Sequence, residues 1–429
     1  MEGKSLIRSI QLKNFLSYEN VDPPFELGAL NVLIGPNASG KSNLLEAIAL
    51  LHAAPKDLAA LISEGGGIRE WLWKGTYHTP VPFPLAKAAL RRQLGLKETE
   101  DTPTATIDAV IDYPDGIMPL RYRLTFTAIG QRFGITDESV ENERPTMSNG
   151  TEVFSFYRYD YGRPVLNYRT TAEAHAGTLD GRAPINLQRE ELSPERSILS
   201  QRKDPGQLPE ITYLGTEFSS IKLYREWSLG RYMPARMPQK ADGPEDFLLE
   251  DASNLGLVLN DLEQQSGTKS QILAFLRKFY DGADDITTKI YANTVQINIH
   301  EKGLKHPVPA TRLSDGTLRY LSLLAILCHP SPPSLICIEE PELGLHPDIM
   351  PTLAELLIDA SQRTQLIVTT HSDALVSALG DVPEAIVVCE RDNEGTHLKR
   401  LKSKDLEKWL QDYALGDLWR MGQIGGNRW

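Results

Sequence analysis

Cysteine is scarce in this sequence. Its 429 residues hold three, Cys328, Cys337 and Cys389, with no C-x-x-C spacing, which excludes a disulfide framework and a cysteine-built zinc site. Two of the three lie in apolar runs, where a free thiol behaves as a small hydrophobe, and a reducing compartment is expected. Positive charge is also in deficit, with 45 Lys+Arg against 57 Asp+Glu and a net charge of −12. A protein that coats nucleic acid or anionic lipid with its whole surface is thereby excluded, though a local basic groove is not. Long hydrophobic runs are missing: the stretch 320–328 follows Arg319 directly and is too short to span a bilayer. Residues 1–8 lack the apolar core of a signal peptide, so a cytoplasmic chain without membrane contact is expected. What remains, 41% hydrophobic and 24% charged, is a globular balance. Its length suits two or three domains, or one large α/β unit with an insertion.

The first fifty residues read strand, strand, loop, helix: 5–15 alternates, 29–34 is a short apolar run, and Leu44, Leu45, Ile48 and Leu51 recur at helical spacing. Period-2 stretches at 106–113, 120–128, 152–159 and 165–168 predict an antiparallel meander. Residues 170–210 are polar and predict loop with a short helix, and 209–280 returns to a helical period. A strand is expected over 294–300. Beyond it helices 316–328, 348–361 and 373–379 alternate with strands 334–339, 365–370 and 385–390, the pattern of a parallel sheet covered on both faces.

Gly35-Pro36-Asn37-Ala38-Ser39-Gly40-Lys41-Ser42 fits GxxxxGK[ST] between a predicted strand and helix. Its glycines let backbone N–H groups face a phosphate at a helix N-terminus, Lys41 reaches the β- and γ-phosphates, and Ser42 can ligate Mg²⁺. The apolar strand 334–339 ends in Glu339-Glu340. One such acid supports a metal and the next orients or deprotonates the attacking water, while the plain alternative is a solvated strand end. Leu313-Ser314-Asp315-Gly316-Thr317 precedes a helix and reads by itself as an N-cap. His371 ends the following strand and can meet a γ-phosphate or cap the next helix.

The order of these parts resembles the ATP-binding-cassette ATPases. The opening Ile10-Gln11-Leu12-Lys13-Asn14-Phe15, the Glu-Glu-Pro-Glu at 339–342 and Leu345-His346-Pro347 are similar to the SMC/RecF/OLD branch. Residues 67–75 (GIREWLWKG), 254–259 and 415–426 extend that resemblance to bacterial predicted AAA-family ATPases lacking a Toprim nuclease domain. The resemblance implies an α/β ABC-ATPase head, with a mixed sheet, an antiparallel β subdomain and a helical insertion lobe. It implies Mg²⁺-dependent ATP hydrolysis in a sandwich dimer or higher homo-oligomer that regulates nucleic-acid sensing or an effector, in DNA repair or antiphage defence. Under it, residues 35–42 bind ATP, Ser42 and Glu339 support Mg²⁺, and Glu340, His371 and Lys41 carry the catalysis. Ser314 and Gly316 then touch the partner copy's nucleotide. DNA and a separately encoded nuclease or toxin are the further candidate partners. Three features depart from the branch: Glu339 stands where most cassette ATPases have Asp, Leu16 replaces a basic residue, and no glutamine falls where one links the ATP core to the moving lobe.

The expected organisation is an N-terminal ATPase lobe (1–170), an insertion lobe (171–290), a C-terminal ATPase lobe (291–400) and a helical tail (401–429). A transporter's nucleotide-binding subunit is the alternative, but its phosphate loop and signature lie much closer together. Residues 211–240 interleave Lys222, Arg225, Arg231, Arg236 and Lys240 with Tyr224, Trp227 and Tyr232. That pattern suits single-stranded nucleic acid, or an internal surface meeting the acidic stretch 245–263. Residues 387–390 resemble the first acidic strand of a Toprim domain, but no Asp-x-Asp pair follows, and an edge strand of the ATPase sheet is expected there. The run 399–404 precedes an expected amphipathic helix with Leu406, Trp409 and Leu410, and Trp419 and Trp429 suggest docking of the tail.

Overall fold

The computed structural model describes residues 3–75, 104–145, 153–160, 163–169, 182–186, 192–265 and 267–426. Its centre is a run of parallel strands in the order Ile386–Asp392, Leu30–Ile34, Gln365–Thr369, Leu335–Glu339 and Lys222–Tyr224. Successive residues of these strands point to opposite faces, and both faces are dry. Leu33, Cys337, Ile367, Val387 and Cys389 enter one hydrophobic core. Their neighbours Val32, Ile34, Ile336, Ile338, Leu366, Val368 and Val388 enter a second. Each such aliphatic side chain contributes about 1.5–3 kcal/mol on leaving water.

The first core carries the helix Lys41–Ala53, whose Leu44, Leu45, Ile48 and Leu51 are fully buried at the spacing seen in the sequence. On the same side the sheet continues through Gly395–Arg400, Tyr18–Asn20 and Ile7–Phe15 into antiparallel strands Thr104–Ile111, Leu120–Ile129, Arg132–Asn142, Ser155–Asp160, Arg163–Arg169 and Arg182–Asn186. The second core holds the helices Leu255–Gln264, Thr268–Phe279, Asp315–Leu327, Met350–Ala360, Asp373–Ala378 and Leu415–Arg420. A smaller sheet of Gln239–Lys240, Thr294–Glu301, Ala283–Tyr291 and Val308–Pro309 packs there too. The mixed sheet, antiparallel extension and helical cover agree with the expected fold class.

Several local expectations change. The strands Arg132–Asn142, Arg182–Asn186 and Ala283–Tyr291 were not read from the sequence. Arg132–Asn142 hides its alternation because both of its faces are largely covered, including polar Glu138, Ser139 and Glu141. The Glu138 carboxylate accepts from Tyr122 Oη at 2.8 Å, from Ser197 Oγ and from Ile198 N at 3.0 Å, which explains a carboxylate inside the core. Strand Ile386–Asp392 is not an edge: it lies between Leu30–Ile34 and Gly395–Arg400. The basic run 399–404 starts inside strand Gly395–Arg400, and the helix after it is only Ser403–Leu406, leaving Trp409 45% exposed. Trp419 is buried on its own head, while Trp429 lies outside the described residues.

Candidate nucleotide site

The phosphate loop follows strand Leu30–Ile34 and needs glycine where it turns. Gly35 has φ 147°, and a Cβ there would sit 2.3 Å from Cys389 O; Gly40, at φ 100°, would meet Thr396 Oγ1 at the same distance. Ala38 takes φ 66° without that freedom. Helix Lys41–Ala53 starts at once, so its free N–H groups and positive end face the loop. Lys41 Nζ donates to Gly35 O at 2.8 Å and Pro36 O at 3.0 Å. Burial lowers its pKa, opposed in part by the carboxylates of Glu340 and Glu339. Ser39 Oγ is buried in the loop with no protein partner, an orphan that suits a phosphate oxygen.

The parallel register brings the acidic strand to the same place. Ser42 Oγ donates to Glu339 Oε1 at 2.5 Å, across 297 residues of chain. Among the described residues no group of three or more His, Cys, Asp or Glu is arranged to hold a metal. A hydroxyl beside a carboxylate is an all-oxygen pair that fits Mg²⁺, whose remaining ligands are ordinarily phosphate oxygens and water. The longer Glu339 side chain therefore still reaches the serine.

Glu340 follows at φ 46°, a left-handed conformation costly for a residue with a Cβ. Its N–H donates to Thr369 O at 3.0 Å. His371 Nε2 lies 3.6 Å from Glu340 Oε1, too far for a hydrogen bond. Burial, reinforced by the nearby Lys41 charge, pushes the imidazole pKa below its ordinary value, so His371 is neutral near pH 7. Glu342 accepts from Thr370 Oγ1 at 2.6 Å and His371 N at 2.9 Å, tying the acidic loop to the strand end beside it.

Ser314 and Gly316 lie at the start of helix Asp315–Leu327, on the side of the acidic loop. Ser314 Oγ caps helix Asp315–Leu327, accepting from Thr317 N at 3.0 Å. Among the described residues it makes no hydrogen bond to the phosphate loop. Gly316 packs on the acidic loop: a Cβ there would stand 2.6 Å from Gly344 O. Beside them opens a cavity of about 370 Å³ lined by Trp227, Leu229, Met233, Gly316, Arg319 and Gly344.

The basic, aromatic segment 211–240 proves to be largely the underside of this signature region. Buried Arg236 donates to Leu313 O and pairs with Asp315, Arg225 pairs with Glu46 at 2.7 Å, and Arg319 lies over the Trp227 ring. It therefore meets the signature helix and the phosphate-loop helix, and it also meets the acidic stretch 245–263 as expected: Glu250 accepts from Leu223 N at 3.1 Å, Leu248 O from Tyr224 Oη at 2.6 Å, and Gln239 Oε1 from Gly256 N at 2.6 Å. Arg231, Tyr232 and Lys240 remain exposed. No glutamine follows strand Lys222–Tyr224, and Arg225 and Trp227 occupy that connection. Gln365, the glutamine of the central strands, starts its strand at the other end, and its amide serves Ser5, Ile7 and Gly28.

Sequence reasoning placed Arg225 and Trp227 only in a candidate nucleic-acid or internal surface and Glu342 only in a family motif, and it missed Arg319 and where the tail is seated. Gly426 N donates to Glu390 Oε1 at 2.8 Å, and a Cβ on Gly426 would lie 3.4 Å from Gly35 Cα. The only signal for Arg319 was its position three residues after Gly316, on the same helix face.

A family model described as "AAA domain, putative AbiEii toxin, Type IV TA system" matches residues 30–77 and 132–377, and the chain belongs to that family. The Old nuclease of Escherichia phage P2 is 23% identical over 301 residues, covering 64% of this chain and 49% of that protein. The DNA replication and repair protein RecF of Bacillus cereus (strain G9842) is 52% identical over 101 residues, 22% of this chain and 27% of that one. The chain thus spans about half or less of the length of these curated relatives. Among solved structures, an SMC head bound to the C-winged helix domain of ScpA gives a TM-score of 0.54 at 13% identity, covering 93% of this chain and 99% of the other. The Pyrococcus furiosus SMC head with an extended coiled coil, bound to the C-terminal domain of ScpA, gives 0.51 at 12% identity, covering 95% and 99%. The fold is that of an SMC-type ABC-ATPase head, and the family is SMC/RecF/OLD-like. None of these matches is a transporter subunit, and among the described residues no helix is long and apolar enough to cross a membrane.

Proposed function

We propose that the chain hydrolyses ATP with Mg²⁺, two copies closing on two nucleotides, and that closure controls an effector or a nucleic-acid response. The observation that carries this reading is the convergence of Ser42, Glu339, Glu340 and His371 on one strand-end cluster from three distant segments. The phosphate loop and Lys41 hold the β- and γ-phosphates. Mg²⁺, held by Ser42 and Glu339, would neutralise charge on the phosphates. Glu340 orients the attacking water and takes its proton, while neutral His371 donates one N–H toward the γ-phosphate. Ser314 and Gly316, remote from their own chain's loop, supply the second phosphate-facing surface to the other copy. Closure between them expels water and strengthens every contact with the nucleotide.

The test is ATP turnover with Mg²⁺, together with light scattering of wild type and Glu340→Gln. The variant is expected to lose turnover and to accumulate as an ATP-bound dimer. The same mass with and without ATP in both proteins would end the sandwich reading. The named relatives include a nuclease and a DNA repair protein, which supports a role in repair or antiphage defence. Exposed Arg231, Tyr232 and Lys240 are the residues of 211–240 left for DNA. Turnover unchanged by single- or double-stranded DNA at low salt would remove DNA as a direct activator.

A further inference from the structure

Arg319 is 9% exposed, and among the described residues no carboxylate lies within ion-pair distance of it. Burying a guanidinium without a counter-ion costs stability, and an apolar residue would pack at lower cost. Burial lowers its pKa, against the opposing pull of the more distant Glu342 and Glu340 carboxylates. What it does with its N–H groups is specific. Nη1 donates to Leu343 O at 2.8 Å and to Glu340 O at 3.3 Å. The guanidinium carbon lies over the Trp227 ring, 5.1 Å from its centre, and that ring itself stacks on Tyr224. The Trp227 indole N–H points at Glu339 O at 3.4 Å. Both carbonyls of the acidic pair therefore receive a donor from this stack.

Glu340 needs such support. Its left-handed backbone is strained, and a strained residue persists only where its surroundings hold it. Strand Gln365–Thr369 grips its N–H, and Arg319 grips its carbonyl. Arg319 sits one turn beyond Gly316, which presses on Gly344 of the same loop. One short stretch of the signature helix thus contacts the acidic loop at Glu340, Leu343 and Gly344.

We infer that Arg319, backed by Trp227, is a positioning residue for hydrolysis: it transmits the placement of the signature helix to the water-activating carboxylate of its own chain. The inference rests on the proposed role of Glu340. It gives the signature helix a task in cis besides its proposed contact with the other copy's nucleotide. A displacement of that helix moves the Glu340 carbonyl directly, without passing through the phosphate loop.

The experiment is steady-state ATPase kinetics per titrated nucleotide site on the full chain, for Arg319→Ala, Arg319→Lys, Trp227→Phe and Glu340→Gln, with Tm measured for each. Arg319→Ala is expected to lower kcat by about 10- to 100-fold while ATP affinity changes by less than about threefold. Arg319→Lys, which keeps a donor for the carbonyls but not the flat stack, recovers part of kcat. Trp227→Phe keeps the ring, loses the N–H, and falls between Arg319→Lys and wild type. Equal kcat per site in Arg319→Ala and wild type, with Glu340→Gln inactive, overturns this inference alone. A fall in Arg319→Ala kcat that Arg319→Lys does not recover also overturns it, since the defect is then one of packing. Full turnover in Glu340→Gln overturns the role of Glu340 instead.

Discussion

The two faces of the central sheet build their halves of the site differently. On the face of helix Lys41–Ala53, the loop is backbone: its shape follows from Gly35 and Gly40, and its charge from a helix end and Lys41. On the face of helix Asp315–Leu327, the link to the acidic pair runs through side chains and one tight glycine contact: Arg319, Trp227 and Gly316. A backbone cradle that depends on glycine torsions is pre-formed and tolerates little. A side-chain relay can be shifted by what touches its far end. Under the proposed function, the comparison makes nucleotide binding and hydrolysis separable, one on each face.

The hardest test of that separation is Lys41→Ala. Removing a charged donor to phosphate is expected to weaken ATP binding by about 10- to 100-fold, with hydrolysis lost alongside, as measured by nucleotide titration. Retained affinity would place binding elsewhere than on this face. Gly316→Val is the converse. Its Cβ would enter the space of Gly344 O, and the acidic loop must move. Turnover is expected to drop about tenfold while binding at the phosphate loop holds. A Gly316→Val protein that loses affinity and turnover together would merge the two faces into one unit.

How much was legible follows the same division. Phosphate loop, acidic pair and His371 show in the sequence because each is a short run at the end of an apolar strand. The parallel register then brings Ser42 to Glu339. The roles of Arg319 and Trp227 at the acidic pair did not show, because their partners are carbonyls, which every residue carries and no motif records. Strand Arg132–Asn142 was hidden by its buried polar residues, which mask alternation. The segment 211–240 left two readings open for a related reason: Arg236 and Arg225 look like surface charge until the structure supplies Asp315 and Glu46, which favours the internal surface.

The tail belongs to the signature face yet touches the phosphate loop. Gly426 has φ 75°, and a Cβ would stand 3.1 Å from Val388 Cγ1 and 3.4 Å from Gly35 Cα. Gly426→Ala is expected to destabilise the fold by about 1 kcal/mol and to weaken ATP binding by about two- to fivefold. A lower Tm with unchanged affinity would confine the tail to packing and leave the two faces meeting only at the acidic loop.

The smallest effect lies far from the nucleotide. Burial lifts the Glu138 carboxyl to about 7, against which its hydrogen bonds from Ser197, Ile198 and Tyr122 work. The folded state therefore holds a proton that the unfolded chain releases at lower pH. Its contribution is complete below the ordinary glutamate pKa and is lost as pH rises through about 7. Thermal melts should show wild type losing more stability between pH 5 and 8 than Glu138→Gln, the difference between the two proteins isolating this group from histidines that titrate in both. Because this site joins the antiparallel strands to helix Ile198–Gln201, ATP affinity should be the same in both proteins at each pH while they remain folded. A Glu138→Gln affinity that drifts with pH would mean that the antiparallel extension, remote in the sheet, also shapes the phosphate loop.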